Sequence, residues 1–376
     1  MENNIIDNQL IFVEPTWVTG ETCLFKISNK FEYLRAQSKL TKMRKDFLTK
    51  LENEGFRITY DKKEIDEDTI CFIMNDESVC DVNVDISDYK KQFDKKIFCS
   101  GGEKLNYPYS VTMEEYFFNP FFPAVLKNEL MNAGIDKFFI ENENQLEIIK
   151  KFYQDFSNDK ELAEAFRCSI FQQFIETPTK NKTYIRVLMS ASGDVLGASL
   201  KYSKPSFEKR DLKGMFEPYF SDPSSSYFLN SSNLFNYYSE GGNISFSQPR
   251  YSDEKKFILK AHNIDPDHPE IPSDVLEVSS LIARNCNQEL GIMCGLDFIF
   301  NVIDQKWYYL ESQAFPAIDE WANARDIRLP KVKSLDDSIK YFAIDLEARY
   351  EALMMCMKKK YEEKHQDNVP VLKLKA

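Results

Sequence analysis

The amino-acid sequence predicts a mixed α/β and α+β protein in three parts. These are an N-terminal α/β domain over residues 1–105, a small central α+β subdomain over 106–205 and a larger C-terminal α+β subdomain over 206–376. Three observations carry the prediction. A chain of 376 residues is long for a single hydrophobic core. Short apolar runs alternate with a helix-period stretch in the first hundred residues, which is α/β organisation. Two later stretches, 184–203 and 295–316, each read as a pair of strands joined by a polar turn.

In chain order, "QLIFVE" at 9–14 reads as a short strand, and 29–56 carries apolar positions at helical spacing before stopping at Gly55. "RITYD" and "TICFIMND" follow as strands, and "CSGGEKLNYPYS" reads as a linker. "PAVLKN" at 123–128 is a buried strand ending beside a lysine. The stretch after it, "NELMNAGIDKF", has small residues suited to a mobile lid. "NQLEIIKKFYQDF" is an amphipathic helix, "SIFQQFIE" a strand, and 184–203 a hairpin turning at Ser192-Gly193-Asp194. Residues 206–270, rich in Ser, Pro, Tyr and Phe, read as a long functional loop region whose aromatics need burial. A helix precedes the second hairpin, and the tail from about 335 to 364 is helical.

Composition narrows the chemistry. A net charge of −12 argues against general nucleic-acid binding, which needs a basic surface to displace counterions. No apolar run spans a bilayer and the start lacks a secretory pattern, so a cytoplasmic protein with no membrane association is expected. The eight cysteines are scattered with no CxxC pair, which reads as reduced thiols. Only three histidines exist, so lysines, arginines and carboxylates are left to carry any chemistry.

The hairpin at 295–316 holds one acid in each apolar run. With a turn at Asp304-Gln305, Asp297 and Glu311 oppose each other on one face, and Gln313 points the same way. Two opposed carboxylates repel unless a cation joins them, and Mg²⁺ takes carboxylate, amide and phosphate oxygens. The alternative is a pair of acids at frayed strand ends in water, and spacing alone leaves both readings open. Lys127, Arg186 and Lys201 each sit in or at the end of an apolar strand. Each is either a snorkelling edge residue or one of three cations that together neutralise a phosphate cluster.

The order of these pieces, from about residue 90 to 325, resembles the ATP-grasp enzymes. "FPAVLKN" is similar to the strand whose lysine, here Lys127, contacts the α- and β-phosphates. Lys95 or Lys96 is the other expected nucleotide lysine. "CSIFQQFIETP" resembles the strand entering the adenine hinge, which implies backbone contacts near Gln173, Phe174 and Ile175. The 184–203 hairpin is similar to one in peptide-ligase-like members, placing Arg186 and Lys201 by the γ-phosphate or an acyl-phosphate. "NYYSEGGN" resembles an asparagine followed by paired glycines, carried by Asn236, Gly241 and Gly242. "GLDFIF…WYYLESQAFPAI" looks like the family's metal hairpin, with Asp297, Glu311 and Gln313 as ligands. The chain departs from the pattern where Gln313 replaces asparagine, Ala317 replaces glycine, and Gly295 stands where an arginine often precedes the aspartate.

The resemblance implies an ATP-dependent ligase that activates a small-molecule or peptide carboxylate as an acyl-phosphate. It then couples the carboxylate to an amine, with ester formation as a variant, and releases ADP and phosphate. ATP and Mg²⁺ are the implied cofactors, and a homodimer is left open. Arg250 and Arg325 are candidates to grip a substrate carboxylate. The rival readings are a kinase of a small alcohol or polyol phosphate, and a non-catalytic nucleotide-binding regulatory protein.

Overall fold

Four consecutive buried residues, Leu10–Val13, form β1 at the centre of a three-stranded parallel sheet ordered β2–β1–β3. Its neighbours are β2, Arg57–Thr59, and β3, Ile70–Phe72. Between them lie α1, Pro15–Thr19, and α2, Lys30–Asn53, which stops where Gly55 takes φ of 103°. In this computed structural model the described residues are 8–19, 30–66, 68–72, 106–128, 137–156, 169–179, 183–203, 206–209, 235–238, 241–247, 250–285, 287–313, 316–331 and 334–366.

The central region builds a six-stranded sheet. Its elements are β4, Ser110–Thr112; α3, Met113–Phe118; β5, Ala124–Asn128; β6, Lys137–Ile140; α4, Glu143–Phe156; and β7, Ser169–Gln173. Thr112 and Glu115 start α3 with a reciprocal capping box. Leu146, Ile149 and Phe152 form one stripe of α4 and pack with Ala124, Leu126 and Phe171 of the sheet. Alternation along the strands then leaves Val125, Lys127 and Gln172 on the opposite face.

A second, five-stranded sheet contains β8, Thr183–Ser190, and β9, Val195–Ser203, in order β12–β9–β8–β13–β14. Two short strands between β9 and β12, namely β10, Ser206–Lys209, and β11, Phe235–Tyr238, extend the central sheet instead, with β11 against β6. β12 is Gly241–Ser245, and α5, Asp253–Ala261, follows it. Next come α6, Ser273–Asn285; α7, Asn287–Leu290; β13, Met293–Asn301; and β14, Lys306–Gln313. The chain finishes with α8, Asp319–Ala324, and the long α9, Leu335–Gln366.

The mixed fold class and most elements agree with the sequence reading, but the assignment of segments to units changes. The 184–203 hairpin, expected in the central subdomain, pairs with β13 and belongs to the C-terminal sheet. The segments 206–209 and 235–238, expected on the C-terminal side, join the central sheet. Residues 206–270 are therefore not one loop, since they include three strands and α5. The N-terminal sheet does not close a core of its own either. Ile11, Trp17 and Phe72 share one cluster with Leu188, Leu196, Trp321 and Leu353. Arg44 of α2 is fully buried and stacks on Trp17 and on Phe342 of α9, at 5.7 and 5.0 Å from the ring centres. No helix among the described residues is long and apolar enough to cross a membrane.

The two faces of the five-stranded sheet have different fates. Ile185, Val187 and Met189 bury against α5 and α6. At the seam, His262 caps α5; its Nδ1 donates to the Ile258 carbonyl and its Nε2 accepts from the Thr183 hydroxyl, an arrangement for neutral imidazole. Burial lowers its pKa below the ordinary 6.5, against the smaller opposing effect of the Ile258 bond. The unfolded chain therefore binds more protons between the lowered value and 6.5. Stability from this residue is complete above 6.5 and is lost as pH falls through that window, with a slope of at most about 1.4 kcal/mol per pH unit. Urea denaturation from pH 7.5 to 5 should show this decline, and His262→Gln should flatten it.

Candidate functional site

The opposite face of the same sheet carries a polar row across all five strands. Ser245 pairs with Ser199, Ser199 with Arg186, Arg186 with Asp297, and Asp297 with Glu311. The acids oppose each other as the sequence predicts, but by a different route. The turn spans Val302–Gln305, and from it Asn301–Lys306 to Phe298–Tyr309 pair in one register. A bulge at Leu310 then advances the pairing by one residue, so that Asp297 meets Glu311 and Gly295 meets Gln313. Had the first register continued, Glu311 would have faced Leu296 and pointed to the other side of the sheet.

Arg186 and Asp297 form a bidentate contact, with Nε to Oδ1 and Nη2 to Oδ2 both 2.7 Å. Both side chains are buried. Burial alone would lower the arginine pKa, but the charge and hydrogen bonds of Asp297 outweigh it and hold the guanidinium well above its usual range. Tyr184, one row along, is raised by burial and then by the Asp297 charge, so it stays neutral. Gly295 makes room for this packing, because a Cβ there would lie 3.0 Å from Cβ of Pro316 and 3.9 Å from Cδ of Arg186.

Lys201, at the end of the next strand, contacts Oε1 of Glu320 at 2.9 Å, and the Ser199 hydroxyl donates to the same oxygen at 2.8 Å. Glu320 arrives on α8, whose backbone lies directly on β9: a Cβ at Gly197 would sit 2.2 Å from the Glu320 carbonyl oxygen. The sequence reading did not single out Glu320, which sits with Asp319 between Ile318 and Trp321, both buried here.

One end of this row, at Glu311, meets the other face of the central sheet across a cleft. Val125, Lys127, Gln172, Gln173, Phe174, Ile175 and Thr177 line it from one side, with Ile299, Leu310 and Glu311 on the other. Lys127, the 173–175 stretch and Glu311, picked separately from the sequence, thus meet in one place. The cleft holds only about 50 Å³, far below the roughly 300–1,000 Å³ of ligand pockets, so a nucleotide enters only if the sheets part. Within the hinge stretch, Gln173 N–H already donates to Tyr109 O at 2.7 Å and Phe174 N–H to Pro123 O at 3.2 Å. Their amides are therefore already engaged within the fold.

Other expected site residues fall elsewhere. Arg325 is corrected: its guanidinium binds the Glu351 carboxylate through Nε at 2.9 Å and through Nη2, and donates to the Leu196 and Trp321 carbonyls. It clamps α8 to α9 and to β9, so most of its donors are already engaged within the fold. Arg250 is exposed ahead of α5 and does not line the cleft. Asn236 lies in β11, its backbone paired with β6 and β10 in the central sheet. Lys95, Lys96, the 129–136 lid stretch and the Asn236 side chain lie outside the described residues.

The donor set fits magnesium in one respect. Asp297 and Glu311 oppose each other with Gln313 beyond, all hard oxygen donors, and each Asp297 oxygen keeps a lone pair beyond its Arg186 bond. Among the described residues no group of three His, Cys, Asp or Glu forms a closed metal cage. A cation here would therefore need ligands supplied by phosphate.

No family model matches the chain, and no curated protein matches it. Among solved structures it is similar to the D-alanine–D-alanine ligase of Bacillus anthracis complexed with ATP. That likeness has 12% identity, covers 92% of this chain and 98% of that one, and has a TM-score of 0.36. It is also similar to the ATP-grasp ligase PsnB complexed with a minimal precursor, at 13% identity over 89% and 78% of the two chains, TM-score 0.35. The L-amino acid ligase of Bacillus licheniformis is another, at 14% identity over 64% and 47%, TM-score 0.33. Likenesses this distant transfer no residue role.

The buried ion pair makes a testable demand. Asp297→Ala leaves the Arg186 charge buried without its carboxylate and should destabilise the fold by roughly 3–5 kcal/mol in urea denaturation. Arg186→Met combined with Asp297→Leu should recover most of that loss, and a double variant as unstable as the single would contradict the assignment.

Proposed function

We propose that this chain is an ATP-dependent carboxylate–amine ligase of the ATP-grasp type, acting on a small-molecule or peptide carboxylate and releasing ADP and phosphate. The observation that supports it is the cleft, where Lys127 and the 173–175 stretch share the lining with Glu311, which is paired across its strand with Asp297 and through it with Arg186. A lysine on one wall and a carboxylate backed by a second on the other is an arrangement suited to a metal–polyphosphate complex.

In this reading Ile175 and Phe174 border the purine, and Lys127 contacts phosphate oxygens from the central sheet. Asp297, Glu311 and Gln313 would hold magnesium, which when bound neutralises phosphate charge as a Lewis acid. Arg186 and Lys201 offset the charge that develops as a substrate carboxylate oxygen attacks the γ-phosphorus and the bond to the ADP oxygen breaks. The amine nitrogen then attacks the acyl carbon, phosphate leaves, and the nitrogen loses a proton. No side chain forms a covalent bond to substrate, so the protein's work is orientation and charge placement.

The primary test is ADP release on incubation with ATP, Mg²⁺ and panels of carboxylates and amines. Release that requires both partners supports a ligase; release that requires only an alcohol, or binding without turnover, rejects it. Glu311→Ala should lower turnover at least about 100-fold while leaving the circular-dichroism spectrum unchanged. Lys127→Ala removes a charge-assisted bond to phosphate and should weaken binding of a non-hydrolysable ATP analogue by about 10- to 100-fold in calorimetry.

A further inference from the structure

Glu320 is fully buried, and its two oxygens are treated unequally. Oε1 is shared between Lys201 Nζ at 2.9 Å and Ser199 Oγ at 2.8 Å. Oε2 is buried with no hydrogen-bond partner among the described residues. Carboxylates kept only for structure normally have both oxygens satisfied, because an unmet buried acceptor is costly. The strand neighbours of Lys201 are Tyr184 and Asn243, neither of them acidic. Among the described residues its ion pair is with this one carboxylate, while its side chain keeps 21% of its surface open.

The seat of Glu320 is rigid. Its backbone rests on Gly197, where no side chain would fit. One turn further along α8, Arg325 ties the Trp321 carbonyl to the Leu196 carbonyl and to Glu351 on α9. A fixed anion thus underlies a long, flexible cation at the rim of the polar row.

We propose that Glu320 is a positioning residue for Lys201: it fixes the ammonium at one point beside the polar row and withholds part of its charge from a ground-state phosphate ligand. This rests on the reading of the cleft as a nucleotide site. Without the anion, Lys201 would be freer to follow any phosphate and would hold it more strongly, but away from the position that turnover requires.

The predicted signature has opposite signs in binding and turnover. Glu320→Gln keeps a hydrogen-bonding partner for Ser199 and removes the charge. It should tighten binding of Mg²⁺ with a non-hydrolysable ATP analogue about three- to tenfold while lowering kcat at least tenfold. In a Lys201→Met background the same substitution should leave the affinity unchanged. Glu320→Asp, which withdraws the carboxylate from Lys201, should shift both quantities in the same directions by less and supplies the test if the glutamine variant does not fold. Weakened binding in Glu320→Gln, or an equal effect with and without Lys201, would show a structural role and overturn the proposal. If wild-type protein binds no Mg²⁺-nucleotide at all, the cleft reading falls and this proposal falls with it. If wild type binds and Glu320→Gln leaves affinity unchanged, only the positioning role is lost.

Discussion

The bidentate contact of Arg186 with Asp297 sits at the middle strand pair of the five-stranded sheet, and the arrangement of the cleft follows from it. Two opposite charges removed from water hold only in tight geometry, and here the antiparallel ladder sets that geometry by placing the residues directly across from each other. The pair also prevents what Asp297 and Glu311 would otherwise do, which is repel across the next ladder. Once Arg186 is fixed, Ser199 and Lys201 on the adjoining strand are fixed beside it, and α8 brings Glu320 to meet them.

The same face of the sheet serves two purposes along its length. Leu188 and Leu196 lie at the end covered by α8 and α9 and belong to the core shared with the N-terminal sheet. Arg186 and Tyr184 lie further along the strand, paired with Ser199 and Lys201, the two residues that meet Glu320 of α8. One strand therefore passes from core to site within four residues, so the site residues inherit the rigidity of the core. The central sheet mirrors this, with Leu126 packed against α3 and α4 and Lys127, the next residue, turned toward the opening.

Much of this was legible in the sequence, because alternation within a strand and periodicity within a helix are local properties. The 123–128 strand, the 143–156 helix, the turn at Gly193 and the opposition of Asp297 and Glu311 all come from such patterns. What was not legible depends on choice of partner. The hairpin 184–203 carries nothing that says it will pair with β13, and residues 206–209 carry nothing that says they will cross back to the central sheet. The Leu310 bulge was invisible as well, and the acids' alignment was anticipated from a turn that the chain does not use. Arg325 was read as a substrate ligand because a guanidinium suits a carboxylate, and it does bind one: Glu351, more than twenty residues away on another helix.

The hairpin of β13 and β14 is attached to the central region at two points. Val302 N–H in its turn donates to Glu176 O at 3.0 Å, and Tyr309 N–H on its outer edge donates to Asn106 O at 2.9 Å. Both attachments lie toward the turn, whereas Asp297, Glu311 and Gln313 lie toward the opposite end of the ribbon. Any separation of the two walls that kept these bonds would be smallest near residues 302–309 and widest at the acidic end. A bulky guest would pass the acidic end first and reach the narrow, apolar corner beside Ile299 last.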